Sequence, residues 1–165
     1  MTVRAVPPQW IPDQPGVHVL HPGDVACVNA GETLETLLGS CVAILLTDPR
    51  RTIGAMCHVV HANAPKNGDR RDCTYGEPAL LDMYARLRAR GINPLMCEAY
   101  VFGGGNMFPH LFGSSHPGDA NARWALGALE RDGIAVIFQD LGGATYRRLA
   151  WHVGWEPPVA VAIPV

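Results

Sequence analysis

A cysteine and a histidine, Cys41 and His58, stand 17 residues apart on two apolar segments joined by Asp48-Pro49-Arg50-Arg51. The first segment begins Leu37-Leu38-Gly39-Ser40-Cys41-Val42, and the second reads Ile53-Gly54-Ala55-Met56-Cys57-His58. A hairpin centred on Pro49-Arg50 sets Cys41 directly opposite His58. Directly opposed residues share a face of the sheet, with Cβ atoms about 4.5–5.5 Å apart. An imidazole at that reach takes the thiol proton and makes the cysteine a nucleophile. The competing role is packing, because a cysteine in an apolar strand is also a small buried hydrophobe.

Other chemistry-bearing residues carry weaker signals. His58 and His61 with Cys57 and Cys73 are of zinc-ligand type. Adjacent strand residues point to opposite faces, so Cys57 and His58 do not share one metal in a regular strand, and no metal is expected. His110 and His116 flank Gly113-Ser114-Ser115 and read as exposed loop residues. The clusters Gly103-Gly104-Gly105 and Gly142-Gly143 follow apolar strands but lack the Gly-Lys of a phosphate loop, so they read as strand-end turns. Trp124, Trp151 and Trp155 read as packing residues.

The elements that must position Cys41 and His58 follow from patterning. Cys41–Leu46 and Ile53–Val60 are apolar on both faces, the signature of strands covered on both sides. Val17–Val28 reads as one or two short strands broken by the turn His21-Pro22-Gly23-Asp24. The polar stretch His61–Tyr75 is a candidate mobile loop, placed to wall a groove beside His58. A helix is expected from Pro78, with Leu80, Leu81, Met83, Tyr84 and Leu87 inward, Arg86, Arg88 and Arg90 in its last turn, and Gly91 closing it. Glu98–Phe102 is a strand, and a second helix runs from about Asn121 to Asp132. Ile134–Phe138 and Val159–Ile163 complete the strands. The order predicts an α+β fold with helices on one side of a mixed sheet system.

Composition sets the outer limits. The chain of 165 residues is 48% hydrophobic and 17% charged with a net charge of −2, which offers no basic field for nucleic acid. No stretch approaches the roughly 20 apolar residues of a membrane span. The start, rich in proline through Pro7, Pro8, Pro12 and Pro15, lacks a secretion signal, so a cytoplasmic protein is expected. Five cysteines without a tight repeat then favour free thiols. Residues 1–16 are expected to be a flexible leader and 17–165 one domain.

From His18 onward the chain resembles the CheD family, the chemoreceptor glutamine deamidases of bacterial and archaeal chemotaxis. The resemblance is carried by His21-Pro22-Gly23-Asp24, Thr36-Leu37-Leu38-Gly39-Ser40-Cys41-Val42-Ala43, Asp48-Pro49 and Ile53-Gly54-Ala55-Met56-Cys57-His58. Downstream, Tyr75-Gly76-Glu77-Pro78-Ala79, Phe102-Gly103-Gly104-Gly105-Asn106-Met107-Phe108 and Asp140-Leu141-Gly142-Gly143 with Arg147 keep the family's order. The resemblance implies a three-layer α/β/β sandwich like that of deamidating bacterial toxins. It also implies a cysteine hydrolase that converts glutamines of methyl-accepting chemotaxis proteins to glutamate without a cofactor.

By the same resemblance Cys41 is the nucleophile and His58 the base. The family's supporting threonine lies six residues before the cysteine, where this chain has Glu35; Thr36 follows it, and either residue can orient the second ring nitrogen of His58. The implied partners are chemoreceptor cytoplasmic domains as substrate and a CheC-type phosphatase. Two further readings stand beside this one: a thiol amidohydrolase or transamidase with another substrate, and a non-catalytic chemotaxis adaptor.

Overall fold

A computed structural model describes residues 16–113 and 115–165, so the expected Pro-rich leader lies, apart from Gly16, outside the described residues. The elements are β1 (Val17–Leu20), β2 (Val25–Asn29), β3 (Thr33–Leu38), β4 (Val42–Thr47), β5 (Ile53–Val59) and α1 (Gly76–Ala89). After a single 3-10 turn at Pro94–Met96 come β6 (Glu98–Gly103), α2 (Pro117–Arg131), β7 (Ala135–Leu141), β8 (Thr145–His152) and β9 (Val159–Pro164).

The strands form two mixed sheets. Five strands run in the order β2-β5-β4-β6-β7 and four in the order β1-β3-β8-β9. The pairs β1/β3 and β6/β7 are parallel and the rest antiparallel. On the five-stranded sheet, Val42, Ile44, Leu46, Ala55, Cys57 and Val59 face α1 and α2. The alternate residues Ala43, Leu45, Met56, Tyr100 and Phe102 meet Leu34, Leu38, Leu149 and Trp151 of the four-stranded sheet. The result is the expected α+β sandwich of helices, five-stranded sheet and four-stranded sheet. With layers on both sides, β4 and β5 are buried throughout, which is why their sequences are apolar except at Thr47 and His58.

Several details depart from the patterning. Strands β3 and β8 were not expected, and they form the middle of the four-stranded sheet. Leu81 is 54% exposed rather than part of the buried stripe of α1, and Trp155 is 77% exposed with the Arg51 guanidinium 5.9 Å above its ring. Helix α2 starts at Pro117, four residues early, because proline fits the first helical turn and the ring Nδ1 of His116 accepts the Asp119 N–H at 3.2 Å. His116 is therefore a helix cap rather than a free loop residue. No helix among the described residues is long and apolar enough to cross a membrane.

Candidate active site

The turn between β4 and β5 decides where Cys41 and His58 meet. The Asp48 carboxylate accepts the N–H groups of Thr52 at 2.8 Å and Ile53 at 3.0 Å and the Thr52 hydroxyl at 2.6 Å. Arg51 takes a left-handed conformation, with φ of 59°, and donates its N–H to the Asp48 carbonyl. The turn is centred one residue later than Pro49-Arg50, so His58 pairs with Ala43, not with Cys41. A turn shifted by one residue moves the pairing by two, and a two-residue shift keeps the face. Cys41, just before β4, packs against the inter-sheet cluster, on the side where His58 meets β3. The neighbouring Cys57 faces the helices, and burial pushes its thiol up to about 12, which leaves it inert.

Strand β3 supplies the third group. The Thr36 hydroxyl lies 2.8 Å from His58 Nδ1 and donates its own hydrogen to the Leu20 carbonyl at 2.8 Å. A hydroxyl has one hydrogen. With that hydrogen on Leu20, Thr36 can only accept from Nδ1–H, which fixes the tautomer and leaves the Nε2 lone pair free. Strand alternation turns Glu35 to the outer face of the sheet, so Thr36 and not Glu35 orients the ring. The turn His21-Pro22-Gly23-Asp24 holds the same residue by its backbone: Gly23 N–H donates to the His58 carbonyl at 2.9 Å, and His58 N–H to the Asp24 carbonyl at 3.1 Å.

Burial sets the resting protonation. It pushes the Cys41 thiol up, against a smaller downward pull from the residue's own N–H, and it lowers His58 to about 4. Burial thus disfavours the charged form of each group, thiolate and imidazolium alike. The His58 shift has a sign for stability. An unfolded imidazole takes a proton below about pH 6.5, whereas the folded one stays neutral down to about 4, so stability falls as pH drops through that window. The slope approaches about 1.4 kcal/mol per pH unit. Urea unfolding at neutral pH and near the lower bound of the window should show a loss in the wild type about 2–3 kcal/mol larger than in His58→Gln.

Around Cys41 the chain turns tightly. The Cys41 carbonyl accepts the Gly104 N–H at 2.8 Å, and Gly39 accepts that of Gly105 at 2.9 Å. Arg147, 3% exposed, donates to the carbonyls of Gly103 and Gly142 and to Asp140, tying the ends of β6 and β7 together. A cavity of about 260 Å³ opens beside Ser40, lined by Asn106, Met107, Phe108, Phe112 and His116. Of the expected wall, His61–Tyr75, Pro65 and Arg70 line a second cavity against Pro78 and Leu81 of α1, while the Thr74 carbonyl accepts the N–H groups of Val60 and His61 just after β5. Asn121 of α2, which sequence reasoning missed as a site residue, donates its amide N–H groups to the carbonyls of Ser40 at 3.0 Å and Val60 at 2.9 Å. Its one sequence signal is its place at the start of an apolar helix, which does not separate it from a surface amide.

The family model described as CheD chemotactic sensory transduction matches residues 60–154. A protein of Albidiferax ferrireducens named probable chemoreceptor glutamine deamidase CheD 2 is 37% identical over 138 residues, covering 81% of this chain and 80% of its own. A relative of Pseudomonas syringae pv. tomato, named probable chemoreceptor glutamine deamidase CheD, is 34% identical over 146 residues, 87% of this chain and 86% of its own.

Proposed function

The chain belongs to the CheD family, and we propose that it is a cytoplasmic protein-glutamine glutaminase that converts chemoreceptor glutamines to glutamate through Cys41, His58 and Thr36. The Cys41 sulfur attacks the side-chain carbonyl carbon of the glutamine while His58 Nε2 takes the thiol proton. Thr36 accepts the Nδ1–H that becomes more acidic as the ring turns cationic. The imidazolium then gives its proton to the amide nitrogen, the C–N bond breaks, and ammonia leaves a thioester on Cys41. His58 next deprotonates a water that attacks the thioester, releasing glutamate and the thiol. Burial disfavours both charged forms, which favours moving the proton during attack rather than before it.

The observation that carries this reading is the buried relay from His58 Nδ1 through the Thr36 hydroxyl to the Leu20 carbonyl, which leaves Nε2 unprotonated on a ring that lies on the same side of the sheet as Cys41. The cavity beside Ser40 supports it, since its lining residue Phe108, 60% exposed, offers apolar contact to a receptor helix presenting its glutamine.

Thr36→Val, which removes the acceptor but keeps the shape, should lower kcat by about 10- to 100-fold with KM little changed, and Thr36→Ser should restore most of the rate. Steady-state ammonia release measures this. The function itself is tested by incubating the protein with cytoplasmic fragments of receptors from the same organism and mapping glutamine-to-glutamate conversion by mass spectrometry. Conversion at selected glutamines is expected. Receptor binding with every glutamine intact would point instead to an adaptor, the role in which a CheC-type phosphatase is the implied partner.

A further inference from the structure

Asn121 is 3% exposed and sits in α2, which packs over β4, β6 and β7. Both groups that face its amide are carbonyls, so the nitrogen must point at them, and its two hydrogens are divided between Ser40 and Val60. Ser40 immediately precedes Cys41, and Val60 follows His58 by two. The last rung of the β4/β5 ladder is Val42 with Val59, so Asn121 closes the ladder just beyond its end.

The Ser40–Cys41 peptide is trans, so its N–H points away from its carbonyl. Asn121 holds that carbonyl toward α2, which turns the Cys41 N–H to the opposite side, where Cys41 packs among the inter-sheet residues. Among the described residues this N–H donates to no other backbone group, and it lies against the Cys41 sulfur. An N–H that no backbone carbonyl takes, beside the attacking atom, is placed to receive the oxygen that turns anionic when sulfur adds to a carbonyl.

Resting on the deamidase reading, we infer that Asn121 is a positioning residue of the oxyanion hole, which aims the Cys41 N–H at the tetrahedral intermediate by gripping the Ser40 carbonyl from α2. Its effect belongs to carbonyl addition and not to the thiol itself. Alkylation of Cys41 by iodoacetamide forms no oxyanion and separates the two.

Asn121→Ser should lower kcat for receptor glutamine by about 100-fold, with KM and the rate of Cys41 alkylation within about twofold of wild type. Asn121→Asp keeps the size but offers oxygens to the two carbonyls. It should lose activity more deeply at alkaline than at mildly acidic pH, where its carboxyl is protonated and can donate once. It serves if the serine variant does not fold. Unchanged kcat in a folded variant, or a fall in kcat matched by an equal fall in alkylation, would overturn the inference while leaving the deamidase reading intact. A wild-type protein inert toward receptor glutamine would overturn that reading and this inference with it.

Discussion

Cys41→Ala is expected to abolish ammonia release, by more than about 10⁴-fold, while the thermal midpoint and circular dichroism stay close to wild type. The argument is chemical: the proposed thioester needs the Cys41 sulfur, and in that mechanism Thr36 and His58 only move and hold a proton. The fold should tolerate the change because Cys41 is only partly buried and precedes β4 rather than filling its core. Cys57→Ala is the matched control. That residue faces the helices on the far side of the sheet, so activity should persist while stability falls slightly from the lost packing. Peptide mapping of receptor fragments after incubation with each variant decides the matter, and conversion by Cys41→Ala at the wild-type rate would remove Cys41 from the mechanism.

Gly103→Ala is expected to cost both stability and activity, although Gly103 touches no substrate. The residue ends β6 with φ of 113°, which side-chain-bearing residues rarely adopt. An added Cβ would run into the Cys41 carbonyl oxygen and lie 3.1 Å from the Val42 Cα. Both obstacles are backbone, so the chain at Cys41 must shift to admit the methyl. The Gly103 carbonyl is also held by Arg147 and by the Gly142 N–H, so Gly103 cannot yield in its place. A loss of about 2–4 kcal/mol is expected in urea unfolding, with kcat of the remaining folded protein down at least about 10-fold. Gly127→Ala in α2, with nothing within 4 Å of the added Cβ, should be neutral or stabilising by up to about 1 kcal/mol.

What the sequence made legible follows from which contacts are local. Strands β4 and β5 announce themselves because two layers cover them and all their residues but Thr47 and His58 are apolar. Cys41 and His58 stay on one side of the sheet despite the shifted register, because parity, not exact opposition, decides the face. The two-residue error traces to the Asp48 carboxylate, which draws Thr52 and Ile53 into the turn, a side-chain contact that apolar periodicity does not register. Strands β3 and β8 went unread because their inward positions include Thr36 and Arg147, polar residues buried by specific partners. Without β3 there was no parity to choose between Thr36 and Glu35. Asn121 was hidden by distance, since its two bonds span 81 and 61 residues of chain.

The proposed thioester is the step from which the rest of the proposed mechanism follows, and hydroxylamine tests it most directly. This small nucleophile competes with water for a thioester but does not attack an unactivated carboxamide at a comparable rate. Receptor fragments incubated with the wild-type protein and hydroxylamine should carry hydroxamate at the same glutamines that become glutamate without it, and Cys41→Ala should yield neither product. Glutamate alone at those positions, however much hydroxylamine is present, would mean that water attacks the amide directly and that Cys41 forms no bond to the substrate.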